Sequence, residues 1–395
     1  MKVVKQIIEE VKNSGDKAVR KYTEVFDKVE LASFEIARRE IKEAYGKIDE
    51  DALRSLKWAA RNIRDFARAQ KKQFRDFEYI KNGVAIGQKV IPIERVGIYV
   101  PGGNYPLPST ALMCVIPARV AGVKKIIVCS PKIKSITIVA ADLAGADAIF
   151  NIGGVQAIAA MAYGTKQVPK VDKVVGPGNI YVTTAKKEIF GDCGIDLLAG
   201  PTEILLIADR YANPKFIAAD LLGQAEHDVM TKIFFVTDSK DLIKRVNTEL
   251  KLQIGRLGTK NIIKQAFKNK KTILVKNLEE AIKIANEEAP EHLALQVKNP
   301  KRYLNQLKNY GSLFLGGYSA VAFGDYCSGT NHVLPTDKTS RYTGGLSVKD
   351  FLKIQTYQYI NKKGAKNLAK IARNFASIEG LVAHKKSVEI RIKND

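Results

Sequence analysis

Four histidines occur in 395 residues, and each lies in a short polar or acidic cluster. The clusters are Gln224-Ala-Glu-His227-Asp228, Pro290-Glu291-His292, Asp325-Tyr-Cys-Ser-Gly-Thr-Asn-His332 and Glu379-Gly-Leu-Val-Ala-His384. Imidazole both binds zinc and moves protons near neutral pH, so histidines beside carboxylates and amides point to a metal-assisted active site. Any one of them also reads as an ordinary core or surface residue. The four together favour chemistry.

The local patterns say how some of these groups are held. Asn213 caps a helix with Pro214 in its first turn, running through Phe216, Ile217, Leu221 and Leu222. Gln224 and His227 then stand three apart on one face, close enough to share a ligand, or else form a polar stripe. Pro290 reads as the start of another helix, which places Glu291 and His292 in its first turn. There the helix dipole would keep His292 neutral and able to accept a proton. Glu291 is either a second base or a carboxylate complementing that dipole. The stretch Asp325 to Pro335 is too polar and glycine-rich for a core strand; it either folds back to present a ligand or lies in solvent.

Glycine turns at Pro101-Gly-Gly103, Gly153-Gly154 and Gly176-Pro-Gly-Asn179 follow apolar runs, where backbone amides approach a phosphate. None forms GxGxxG, and tight turns alone account for such glycines equally well.

The elements carrying these groups follow from periodicity. About 75 N-terminal residues are helical by period, with Ile7, Ile8, Val11 and then Leu53, Leu56, Ala59, Ala60 and Ile63 at spacings of three and four. A β-like stretch follows from Glu78 to Ile93. Strands at Val96–Val100, Lys125–Cys129, Ala148–Ile152 and Lys173–Val175 alternate with helical runs, which predicts a mostly parallel α/β unit. Glu203–Ala208, Lys232–Val236, Thr272–Val275 and Ser312–Leu315 predict a second, with a cleft between the two. A charged helical tail from about Ser347 to Asp395 would dock elsewhere.

Composition narrows the class. The chain is 46% hydrophobic and 27% charged, which suits a soluble globular protein. The N-terminus mixes charge into every turn, so no signal peptide is expected, and no run is apolar enough for a transmembrane segment. Cys114, Cys129, Cys193 and Cys327 show no CxxC pairing, which predicts free thiols and a reducing cytoplasm. A net charge of +23 raises nucleic acid as a partner, yet the lysines are spread along amphipathic helices without an RNA-binding aromatic motif or zinc-finger spacing. No specific nucleic-acid or membrane partner is expected.

Taken together, several long segments resemble histidinol dehydrogenase. They are Val96-Gly-Ile-Tyr-Val-Pro-Gly-Gly103, Val174-Val-Gly-Pro-Gly-Asn179, Ala199-Gly-Pro-Thr-Glu203, Leu222-Gly-Gln-Ala-Glu-His-Asp228, Pro290-Glu-His292, the Asp325 to Pro335 loop and Glu379 to His384, in the family's order over nearly the whole chain.

The resemblance implies oxidation of L-histidinol through L-histidinaldehyde to L-histidine with two NAD+ and one zinc per site. It implies Gln224, His227, Asp325 and His384 as zinc ligands, and Glu291 and His292 as the acid and base pair. Thr202, Gln224, His227, His292, Asp325, Glu379 and His384 would contact substrate, and Tyr99, Gln156 and Asn179 would contact NAD. The implied fold is two tandem Rossmann-like α/β domains, residues 1–98 with 204–346 and residues 99–203, followed by a helical tail, 347–395. That tail would complete the site of a partner subunit in a homodimer. Thr202 stands where many members have serine, which keeps the hydroxyl. The chain also starts at the first long helix, without the N-terminal arm that helps longer members interlock. A paralogue oxidising another alcohol, such as sulfopropanediol, is the alternative, although Glu379 would repel a sulfonate.

Overall fold

The computed structural model describes residues 1–102 and 105–393, so Gly103 of the first glycine turn lies outside the described residues. The chain opens with four helices, α1 (Lys2–Ser14), α2 (Asp16–Asp27), α3 (Arg38–Gly46) and α4 (Glu50–Lys71). A hairpin follows, β1 (Phe77–Lys81) and β2 (Val84–Pro92). Its turn is Asn82-Gly83, with φ of 53° and 83°, the left-handed pair that a tight hairpin requires.

The first α/β unit then runs β3 (Arg95–Tyr99), α5 (Pro108–Ala121), β4 (Lys125–Cys129), α6 (Ser135–Ala144), β5 (Ala148–Phe150), α7 (Gly154–Tyr163), β6 (Lys173–Val175), α8 (Ile180–Ile189) and β7 (Gly194–Ile195). The second begins with β8 (Glu203–Ala208), α9 (Pro214–Ala225), β9 (Lys232–Thr237), α10 (Lys240–Ile254), α11 (Lys260–Ala266) and β10 (Lys270–Leu274). It ends with α12 (Leu278–Glu288), β11 (His292–Gln296), β12 (Ser312–Leu315) and α13 (Val321–Tyr326). The tail holds β13 (Leu352–Ile360), α14 (Lys362–Ile378) and α15 (Val382–Ile392).

Both units form five-stranded parallel sheets with equivalent strand order, β5-β4-β3-β6-β7 and β10-β9-β8-β11-β12. Each is doubly wound about its first strand, the Rossmann-like arrangement. Helices cover both faces, which is why central strands such as Glu203–Ala208 are buried from end to end.

Three expectations are corrected by the packing. Val4, Ile7, Ile8 and Val11 of α1 pack with residues of α7 and α8, while Ile41 of α3 and Leu56, Ala60 and Ile63 of α4 pack with α5 and α6. The N-terminal helices therefore cover the first sheet, and Arg95–Tyr99 forms its central strand, so residues 1–98 do not group with 204–346. Secondly, the tail is not all helix, because Leu352–Ile360 pairs antiparallel with β2 in a three-stranded sheet, β1-β2-β13. Thirdly, Pro290 stops a helix. Ala289 caps α12 in the left-handed conformation, φ 48°, and proline after such a cap prevents the helix from continuing. The next residues, His292–Gln296, form the fully buried strand β11.

Candidate active site

A cleft of about 720 Å³ lies between the two sheets. From the first unit it is lined at the C-terminal ends of strands, by Pro101 after β3 and by Pro177, Gly178 and Asn179 after β6. From the second it is lined at the opposite edge, by Thr202 just before β8 and by Glu291 and His292 at the start of β11. Helices α9 and α13 run back to that edge and deliver Gln224, His227 and Asp325 near their C-terminal ends.

Asn213 does cap α9, accepting from the Lys215 N–H at 2.9 Å, with Pro214 following. Gln224 lies in the last turn of α9, and His227 sits in the turn just beyond it. The Gln224 side chain is buried, and its Nε2 donates to Asp325 Oδ2 at 3.4 Å while its Oε1 has no hydrogen-bond partner.

His292 is buried and fixed from three sides. Its Nδ1 lies 3.1 Å from the Glu203 carbonyl oxygen and 3.4 Å from Glu291 Oε2. Its Nε2 lies 3.6 Å from Asp325 Oδ1, and Phe314 stacks on the ring with centroids 6.1 Å apart. Glu291 Oε2 also accepts from the Glu203 N–H at 2.9 Å, which leaves Oε1 for the cleft. Burial alone would lower the imidazole pKa, but the Glu291 carboxylate, followed by Asp325, raises it to about 10. With both carboxylates free the ring is thus biased toward its protonated form, and because His292 begins a strand no helix N-terminus acts to keep it neutral, which corrects that expectation. Burial pushes Asp325 upward in turn, but His292 and the more distant His332 and His227 hold it below the usual carboxylate range.

His332 belongs to the loop expected either to fold back and present a ligand or to lie in solvent. It lines the same cleft, its Nδ1 2.7 Å from the Asp325 carbonyl and its Nε2 3.3 Å from Thr110 Oγ1 of the first unit.

Glu379 and His384 do not join this group within one chain. Glu379 caps the end of α14, His384 lies on α15, both are exposed, and neither lines the cleft. Among the described residues no three His, Cys, Asp or Glu side chains stand in a metal-binding arrangement.

Of the residues expected to meet NAD, Asn179 lines the cleft. Its Oδ1 accepts from the Tyr181 and Val182 N–H groups at the start of α8. Tyr99 and Gln156 are buried beneath the Gly153-Gly154 turn. The Gly154 N–H donates to the Tyr99 hydroxyl at 3.1 Å, and both polar atoms of the Gln156 amide lack a partner. Gly176, which opens the loop to Asn179, has φ 116°, and a Cβ there would stand 2.1 Å from the Tyr99 carbonyl oxygen. A buried ion pair, Lys186 and Asp196, grips this peptide. Asp196 Oδ2 accepts from the Gly176 N–H at 2.8 Å, and Lys186 Nζ donates to the Gly176 carbonyl at 2.9 Å.

Two doubly wound units facing each other across a cleft lined by Glu291, His292, Gln224, His227 and Asp325 define an α/β enzyme. The histidinol dehydrogenase family model matches residues 1–392, and the chain belongs to that family. It is 48% identical to the histidinol dehydrogenase of Clostridium acetobutylicum over 401 aligned positions, covering 100% of this chain and 92% of the relative. It is 46% identical to that of Methanocaldococcus jannaschii, covering 99% and 92%. The crystal structure of histidinol dehydrogenase from Elizabethkingia anophelis superimposes with a TM-score of 0.96 at 38% identity, covering 99% of this chain and 92% of that one. A propionaldehyde dehydrogenase from Rhodopseudomonas palustris, at 11% identity and a TM-score of 0.51, shares the fold alone over 90% of this chain and 92% of that one.

Proposed function

We propose that this chain oxidises L-histidinol to L-histidine through the aldehyde, delivering one hydride to each of two NAD+ and taking up one water. The observation that carries the reading is the buried Glu291-His292 pair facing Gln224, His227 and Asp325 across one cleft. The sulfopropanediol alternative finds no support among the relatives described above.

The donor set fits zinc. Gln224 Oε1 is buried without a partner, and Asp325 and His227 stand beside it with the hard oxygen and borderline nitrogen that zinc accepts. Gln224, His227 and Asp325 would hold the ion, with His384 as the fourth ligand. A bound zinc would supply positive charge and a fixed anchoring point for substrate beside the nicotinamide. The charge that holds a proton on His292 comes from Glu291 and Asp325, so engaging Asp325 with a cation weakens that hold.

His292 Nε2, directed toward Asp325 and the cleft, takes the hydroxyl proton as the first hydride leaves. Glu291 Oε1 then activates the water that hydrates the aldehyde, before the second hydride departs. Thr202 and Gln224 line the space in which the substrate would sit. Asn179 would contact NAD+ directly, while Tyr99 and Gln156 set the Gly153-Gly154 turn beneath it. The unpartnered Gln156 amide supports a polar ligand there.

A second copy of the chain would complete the site. Leu368, Ile371, Phe375 and Ile378 form an apolar stripe along α14, and Ile378 is 81% exposed. Ile354 and Tyr359 of β13 are also exposed, so the tail presents a surface suited to a partner. Glu379 and His384 on this tail would reach the partner's cleft.

The test is NADH formation with L-histidinol as sole substrate, before and after chelation. Chelated protein should lose activity and keep its circular dichroism spectrum, and Zn2+ should restore turnover. Full activity in metal-free protein would sink the zinc assignment, and no NADH from the zinc-loaded protein would sink the activity itself.

A further inference from the structure

We propose that Asp220 is a positioning residue that holds Gln224 and Asp325 in register and thereby sets how tightly the cleft binds its cation. The proposal rests on the zinc reading above and adds a residue that touches neither metal nor substrate.

Asp220 lies on α9 one turn before Gln224, so its side chain shares that residue's face of the helix. Gln296 Nε2 donates to Asp220 Oδ2 at 2.7 Å. Gln296 is the last residue of β11, and because strand side chains alternate it shares a face with Ala294 and His292. Ala294 on that face packs among Ile217, Leu221 and Leu222 of α9. The third link is to α13. Val321, its first residue, is buried in the same cluster as Ile217 and Leu221 of α9 with its backbone N–H facing the Asp220 carboxylate, and the preceding Ala320 offers no side-chain cap.

Asp220 thus stands where α9 meets the two elements that deliver His292 and Asp325, hydrogen-bonded to β11 and facing the packed start of α13. Gln224 and Asp325 meet at the far ends of α9 and α13, where they are 3.4 Å apart. A shift of either helix along its axis changes that separation directly. Outer groups that orient metal ligands typically contribute about 10- to 100-fold to metal affinity.

The experiment measures Zn2+ alone, without substrate, by competition with a chromophoric chelator on the full-length protein. Asp220→Asn keeps the side-chain volume and is expected to weaken Zn2+ binding about tenfold or more. The absorption bands of the Co2+-substituted protein should shift, while circular dichroism shows an unchanged fold. Val321→Pro is a second, independent variant that removes the backbone N–H facing Asp220, together with a buried valine side chain whose loss the circular dichroism control must show the fold tolerates. Proline is tolerated at the first position of a helix, and Ala320, at φ −57° and ψ 139°, already has the conformation that precedes proline. It should weaken Zn2+ binding in the same direction. Affinities within twofold of wild type and an unchanged Co2+ spectrum in a folded variant would overturn the role of Asp220 and leave the zinc assignment standing. Wild-type protein that binds no Zn2+ would overturn both.

Discussion

The Nδ1 atom of His292 lies 3.1 Å from the carbonyl oxygen of Glu203, the first residue of β8. A carbonyl only accepts, so Nδ1 carries the hydrogen, and in the neutral ring the lone pair sits on Nε2. The backbone of one central strand therefore sets the tautomer of a side chain on its neighbour. Since β8 and β11 are paired in parallel, with His292 opposite Ile204, the contact is as rigid as the sheet.

That geometry separates the two half-reactions. Asn in place of His292 should cripple the first hydride transfer from histidinol. Gln in place of Glu291 should leave histidinol oxidation to the aldehyde level working and impair oxidation of histidinaldehyde supplied directly. Single-turnover NADH bursts with each substrate measure both steps. Equal losses in both steps for both variants would refute the division of roles.

Mixing two inactive proteins tests whether the site is shared. His227→Asn damages the cleft and His384→Ala the tail. If the tail acts across the interface, each mixed dimer has one intact site. Random exchange makes about half the dimers mixed, so about a quarter of wild-type activity should return. Verified exchange with no recovery would place His384 in its own chain's site.

Burial raises the Asp220 carboxyl from 3.8 to about 6. The folded chain then holds this proton more tightly than the unfolded chain does. Its contribution to stability is fully present below pH 3.8 and is lost as pH rises through about 6. Asp220→Asn stays neutral at every pH. In metal-free protein its stability relative to wild type should therefore rise between pH 4.5 and pH 8, by on the order of 2 kcal/mol. Urea unfolding at the two pH values measures it, and a pH-independent difference would show that the carboxyl does not titrate as described.

Lys186 and Asp196 are 2% and 1% exposed, so removing one strands the other as a buried charge. Lys186→Met should cost roughly 3–5 kcal/mol in urea unfolding. Pairing it with Asp196→Asn should recover part of that loss. Because the pair grips the Gly176 peptide, KM for NAD+ should rise more than KM for histidinol; equal changes in the two would remove the loop from cofactor binding.

Much of this architecture is legible in the sequence. Strands β4, β6, β8 and β12 begin and end where their apolar runs do, because parallel strands covered on both faces must be apolar throughout. β11 is not legible, since proline before a polar pair looks the same whether it starts a helix or follows one. Only the left-handed backbone of Ala289 distinguishes the two. β13 is hidden for another reason. Its mixture of Lys353, Gln355, Thr356 and Gln358 with Ile354, Tyr357 and Tyr359 keeps no strict alternation and becomes a strand by pairing with β2, which is remote in sequence. Gln224, His227, Asp325 and His292 were recognisable by type and do converge. Glu379 and His384 were recognisable too, but a single chain holds nothing to bring them to the cleft.

The second sheet meets the cleft with the beginnings of its strands, and this frees its other edge for instrumentation. Tyr211, just beyond the far end of β8, is 70% exposed. The six residues of strand between it and the cleft span roughly 20 Å. Cys114, Cys129 and Cys193 are buried and Cys327 is half-buried, so a Tyr211→Cys variant would add one freely accessible thiol for a fluorophore. Such a dye would ride on the body that carries the Glu291-His292 pair without standing in the path of either NAD+ molecule. It would register movement of that body as the first cofactor leaves and the second arrives.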